Sequence, residues 1–310
     1  MWKSYAAAVL AAAVVVPGLA QGDPFESGMN TMWEVLWHQS GTATRLVRWE
    51  QPLQVRIAGV NVAQHRQFTL KALNDVAKES GLKVVDVTDR PDAAEVANVS
   101  IEIVPDSMLS EMQPCETRLN FKSETRIDSV TMQMRNSDAR RCAYHESMHV
   151  MGVRGHPEGH TVLSYFTDQV QGLTPLDKAM LRGWYSPRVS GGMTPFEVLP
   201  VLADQLVAIT PNKAEAKQAR DRFLARTVQE MQDFADGQGD VPTIIKRSGK
   251  ATEQGIRYGR VEMSYFLGLA YQQGATVVKN ATEAARWLQR AATMGNRSAQ
   301  ARLANPALRG

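Results

Sequence analysis

His145-Glu146-Ser147-Met148-His149-Val150-Met151-Gly152-Val153-Arg154-Gly155-His156 sets two imidazoles four residues apart, with a glutamate between them and a third histidine behind. On an α-helix, positions i and i+4 share a face, so His145 and His149 can reach one cation while Glu146 sits one step round beside it. The stretch reads as helix: Asn136-Ser137-Asp138 offers N-caps ahead of it, and Gly152 supplies the stop after about Met151. Four of the six histidines of the chain fall between residues 145 and 160. Zinc suits imidazole, tolerates a vacant fourth position and lowers the pKa of bound water toward about 7. Glu146 is then the candidate general base for that water. The plain alternative is an amphipathic helix carrying surface histidines.

Upstream, the periodicities describe a mixed sheet. Gln54–Val60 alternates as a strand, and Gln64–Ser80 places Phe68, Ala72, Leu73, Val76 and Ala77 on one helical face before Gly81 ends it. Leu82–Val87, Asn98–Val104, Thr117–Lys122 and Ser129–Met134 read as four more strands. The expected order is β-α-β-β-β-β-α, with a short helix around Met32–Trp37 before it. After Gly172 the pattern is helical throughout. Thr174-Pro175-Leu176-Asp177 and Thr194-Pro195-Phe196-Glu197 each combine a cap, a proline at N1 and an acid at N3. Gly191-Gly192 and Gly237-Gln238-Gly239-Asp240 are the expected linkers.

With this context the chain resembles the metzincin branch of zinc metallopeptidases, whose pattern HExxHxxGxxH is matched by His145, Glu146, His149 and Gly152. The resemblance implies that Gly152 lets the chain turn sharply, so that a third ligand approaches from below the helix. The usual third position is Gly155, which cannot ligate. His156 follows one residue later and is the favoured third ligand, with His160 as the fallback. Glycines 152 and 155 are expected to absorb the extra residue through positive φ. Thr161-Val162-Leu163-Ser164-Tyr165 resembles the metzincin methionine turn, with Leu163 standing where the methionine would be. That makes Tyr165 a candidate oxyanion stabiliser, or else a half-buried aromatic. The same resemblance casts Thr117–Lys122 as an edge strand that pairs with substrate; otherwise it is simply one half of a hairpin. From about Arg48-Trp49 to Met193 the chain also resembles an uncharacterised family of exported bacterial proteins, through Leu173–Asp177, Leu181-Arg182, Tyr185-Ser186-Pro187-Arg188 and Gly192-Met193. In much of that family the HExxH histidines are degenerate; here both are present.

Met1–Ala20 has one lysine, the apolar run Ala6–Val16, Pro17, and small residues flanking Leu19. This is the layout of a secretory signal peptide cleaved after Ala20, with an uncleaved anchor as the alternative. The expected location is periplasmic or secreted, without a membrane anchor after cleavage. In such a compartment Cys115 and Cys142 can pair as a disulfide. A competing reading makes Cys142 a ligand, since it shares a helix face with His145 and His149. The net charge of +3 is too mild to point to nucleic acid.

Residues 264–303 resemble the Sel-one-like repeat, a relative of the tetratricopeptide helix pair, through Leu267-Gly268, Tyr271, Gly274, Val278, Ala284-Ala285, Trp287, Ala291-Ala292, Gly295 and Ala299. One copy cannot bury its faces alone, so the helices of residues 195–235 are expected to cover it. It is either a surface for a protein partner or a packing unit bracing the metal domain. The expected fold class is therefore α+β: a zincin-like mixed sheet with an active-site helix, then an all-α domain with one Sel-one-like repeat. The divisions are a signal peptide at 1–20, a metal-binding domain at 21–190 and a helical domain at 191–310, with the repeat at about 261–303. The expected function is that of an exported zinc peptidase acting on peptides or proteins, with His145, His149 and His156 on Zn2+ and Glu146 and Tyr165 catalytic. The alternative is a non-catalytic interaction protein with a structural or vestigial zinc site.

Overall fold

The computed structural model describes residues 24–37, 45–123, 125–164, 172–247 and 252–305. The signal-peptide reading of residues 1–20 lies outside them. The first half runs α1 (Pro24–Val35), β1 (Leu53–Gly59), α2 (Val62–Ser80), β2 (Val84–Asp86), α3 (Ala93–Val96), β3 (Val99–Val104), β4 (Cys115–Ser123), β5 (Arg126–Arg135) and α4 (Ala139–Val150). The class is α+β, built on a mixed sheet of five strands ordered β2-β1-β3-β5-β4. β2, β1, β3 and β5 are parallel neighbours, while β4 pairs antiparallel with β5 and forms an edge.

Parallel sheets are usually covered on both faces and then read as continuous apolar runs. Here the strands alternate, and the packing follows the alternation. Leu53, Val55 and Ile57 of β1, Val99, Ile101 and Ile103 of β3, and Val130, Met132 and Met134 of β5 are buried on one face. On the other face Gln133 donates to Glu102 across neighbouring strands at 2.8 Å. α2 and α4 pack together, α2 meeting β1 and α4 meeting β4 and β5. As a result α4 is buried almost all round, from Cys142 through Val150.

The helix expected around Met32–Trp37 is longer and begins earlier, at Pro24, and α1 packs on later helices. These are α5 (Pro175–Trp184), α6 (Pro195–Ile209), α7 (Lys213–Asp236), α8 (Thr243–Arg247), α9 (Glu253–Gln273), α10 (Ala281–Thr293) and α11 (Arg297–Ala304). α1 contacts α6 and α7, and the buried apolar side chains of the sheet and of these helices form one continuous cluster. The α5 capping box closes in both directions. At α6, the Thr194 N–H donates to Glu197 at 2.7 Å. The expected linker Gly191-Gly192 is a site of close packing: a Cβ on Gly191 would lie 2.6 Å from the Thr125 carbonyl, and the Gly192 N–H donates to the Leu46 carbonyl at 2.8 Å. In the helical region α9 and α10 form a tight pair, because Gly268 lets the Leu288 backbone and side chain approach; α6 and α7 both reach α9. None of the described helices is long and apolar enough to cross a membrane.

The back end of α4 is anchored by aromatic donors. The last carbonyls of a helix have no partner within it and need an outside one. Trp49 Nε1 donates to the Val150 carbonyl at 2.7 Å, and the Tyr185 hydroxyl donates to the Met151 carbonyl at 2.9 Å. Arg48 lies over the Tyr185 ring at 4.9 Å and donates to the Val189 carbonyl at 2.6 Å. Replacing Trp49 with Phe keeps an aromatic side chain but removes the Nε1 donor and the volume of the second ring. We expect a loss of at least about 1–3 kcal/mol in urea denaturation, from one buried carbonyl left without its partner, with the vacated ring space adding to it.

Candidate metal centre

His145 and His149 project from one side of α4, and the chain after it brings a third imidazole to them. Gly152 turns the chain with φ +87°, and a Cβ there would lie 2.5 Å from the Val47 carbonyl. Gly155 works differently from expectation. It is not in the left-handed region; instead it presses on α1, where a Cβ would lie 2.5 Å from the Val35 carbonyl and 2.7 Å from its Cα. No side chain fits at that position, so the ligand comes from the next residue. Gly159 is equally tight against Thr31, and the Glu158 N–H donates to Glu34 at 3.0 Å. α1 is thus the floor of the ligand loop.

The three Nε2 atoms converge: His145 to His149 3.1 Å, His145 to His156 3.2 Å, and His149 to His156 3.0 Å. His160 is exposed and stands outside the cluster; its main-chain carbonyl accepts from Thr174 Oγ1 at 3.4 Å. Two of the rings are oriented by main-chain carbonyls. His149 Nδ1 lies 2.6 Å from the Val153 carbonyl and His145 Nδ1 lies 2.9 Å from the Val162 carbonyl. A carbonyl only accepts, so Nδ1 carries the proton in both and the Nε2 lone pairs face each other. Lone pairs at 3 Å repel unless something positive lies between them. Protonation is a poor answer, because burial, and then the neighbouring His149, hold the His145 pKa down to about 4. A metal cation is the better one. Nitrogens about 2.0–2.1 Å from a tetrahedral zinc would stand roughly 3.3 Å apart, close to the spacing seen. The residues therefore fit a cation of this class, held by His145, His149 and His156.

The segment that carries the Val162 carbonyl is itself held. Asp177, fully buried on the first turn of α5, accepts from Thr161 Oγ1, from the Val162 N–H at 3.3 Å and from the Thr174 N–H and hydroxyl, both at 2.8 Å. Burial pushes its carboxyl up, and these donors pull it back. The capping-box acid of α5 is thus also the anchor of the segment that orients His145. Leu163 is fully buried there, as an apolar base requires. Tyr165 lies outside the described residues.

Glu146 is 3% exposed and accepts from the Thr117 hydroxyl at 2.6 Å. Burial pushes its carboxyl above the usual range, opposed by His145 and by the Thr117 bond. Thr117 carries no sequence signal for this role, since it lies on the edge strand and meets Glu146 only through packing. Cys142 is not a ligand: it is bonded to Cys115, which ties β4 to α4 one turn before His145. Comparison with family models, with curated proteins and with solved structures gives no match to this chain.

Two outcomes are expected. Purified protein titrated with zinc should bind one ion per chain by plasma emission spectroscopy, His156→Ala should lose it, and His160→Ala should keep it. In metal-stripped protein, His145 is neutral when folded down to a pKa of about 4, below its unfolded value of about 6.5. The unfolded chain therefore binds more protons in that window. Thermal stability should fall as pH drops from 6.5 through 4, and His145→Gln should flatten that dependence.

Proposed function

We propose that the protein is an exported zinc-dependent peptidase of metzincin type. The observation that carries this reading is the convergence of three Nε2 atoms within 3.2 Å of one another beside a buried glutamate. A third histidine one residue beyond the metzincin position supports a vestigial site only if it stays away from the other two, and His156 lies with them. A bound zinc ion supplies Lewis acidity and draws the pKa of water toward about 7.

The chain's own residues then have distinct tasks. Val153 and Val162 hold two imidazoles in the tautomer that can ligate. Glu146, raised by burial, takes the proton of the attacking water as its oxygen bonds to the scissile carbonyl carbon. The same carboxyl passes that proton to the leaving amine as the C–N bond breaks. Thr117 keeps the Glu146 carboxylate pointed at the edge of the sheet. Among the described residues β4 has a neighbour on one side only, so an extended peptide can add to its other edge by main-chain pairing. The Cys115–Cys142 disulfide suits an oxidising compartment, which favours export.

Glu146→Gln should keep zinc and fold while hydrolysis of a generic quenched peptide falls by about a hundredfold or more. Thr117→Val should lower kcat by about tenfold with zinc content unchanged, since the carboxylate loses its orienting donor. Hydrolysis that persists in the zinc-loaded Glu146→Gln protein would sink the mechanism.

A further inference from the structure

Arg154 lies inside the ligand loop, between Val153, whose carbonyl holds His149, and His156. Its guanidinium stands 5.9 Å from the centre of the Phe121 ring, on the edge strand β4. Among the described residues it has no carboxylate within ion-pair distance. Arg135, with 16% of its side chain exposed, is by contrast surrounded by Asp106, Glu111 and Asp138. Arg154 itself is half-buried, with Phe121 as its ring neighbour. A half-buried cation without a counter-ion costs free energy, which an incoming anion would recover.

The position of Arg154 says where that anion comes from. Along β4, Cys115, Thr117 and Phe121 meet α4 and the loop after it in order: Cys115 bonds Cys142, Thr117 bonds Glu146, and Phe121 faces Arg154. Thr117 to Phe121 is roughly 13 Å of strand at about 3.3 Å per residue. A peptide lying on the β4 edge with its scissile bond at Glu146 passes Arg154 three or four residues away. Phe121, 42% exposed, offers an apolar wall beside the charge.

We infer that Arg154 is a specificity residue that receives a carboxylate of the peptide, from an acidic side chain or from the chain's C-terminus. A guanidinium matches a carboxylate with two parallel hydrogen bonds. This inference rests on the peptidase reading for the identity of its ligand.

The test uses zinc-loaded protein and quenched fluorescent octapeptides in which one Glu, or its Gln counterpart, is walked through a neutral background. Each peptide is made as C-terminal acid and as amide, to separate the two sources of carboxylate. The expected result is a kcat/KM at least about tenfold higher for Glu over Gln, three or four residues from the cleaved bond, or for acid over amide. Arg154→Gln should bring that ratio to about one, Arg154→Lys should restore part of it, and Arg154→Glu should favour Lys peptides instead. A general structural defect would lower all peptides together and leave the ratio standing. An unchanged ratio in Arg154→Gln, or no preference in the wild type, overturns the inference. If the wild type cleaves no peptide of the set, the peptidase reading falls. The same pairs, labelled and titrated by fluorescence anisotropy, then decide Arg154 separately: a Glu-over-Gln or acid-over-amide difference in Kd that Arg154→Gln abolishes supports it, and equal Kd values overturn it.

Discussion

Two hydrogen bonds from imidazole Nδ1 to main-chain carbonyls determine what this molecule can do. By donating to Val153 and Val162, His149 and His145 commit their protons away from the centre and turn their Nε2 lone pairs inward. Without those bonds each ring could flip or change tautomer, and the cluster would become three polar side chains in a crowded place. With them, the site is short of positive charge, and burial keeps His145 from supplying it by protonation. A metal ion held by this cluster would depend on the backbone carbonyls as much as on the ligands.

Much of the remaining fold holds those two carbonyls still. Val153 follows the turn at Gly152, which fits only because the Val47 carbonyl needs the space that a side chain would take. Trp49 and Tyr185 fasten the last turn of α4 just before it. The Val162 N–H donates to Asp177, so the cap of α5 also fixes the segment whose carbonyl orients His145. α1 closes the arrangement from below. Its contact with Gly155 and Gly159 leaves no room for a side chain at those two positions, so the third imidazole comes from His156. On the opposite side, β4 is joined to α4 by a disulfide and by the Thr117–Glu146 bond, which brings the edge strand of the described sheet beside the buried carboxyl.

The strands were legible because one covered face imposes alternation. β1, β3 and β5 fall within three residues of the stretches that Val, Ile and Met mark out in the sequence. The helix ends at Thr174 and Thr194 were legible because capping is local chemistry. Two other elements were not. α1 reads weakly since its buried residues answer to α6, α7 and the ligand loop, which come far later in the chain. Gly191-Gly192 has the composition of a linker, but its glycines serve close approach to Thr125 and Leu46, and composition does not distinguish the two uses.

The same division runs through the site. Sequence alone determined that His145, Glu146 and His149 share a helix and that Gly152 ends it, because helical spacing and glycine's tolerance of positive φ act over a few residues. It left two histidines competing for the third position and two readings of Cys142. Tertiary structure decided both. Val35 denies Gly155 a side chain and so brings His156 to the cluster, while Cys115 takes the Cys142 sulfur. Thr117 and Asp177 acquire their roles only when an edge strand and a later helix pack against α4 and the segment after Gly159. Their partners are 29 and 16 residues away, beyond the reach of any local pattern, because such contacts exist only once the core has closed.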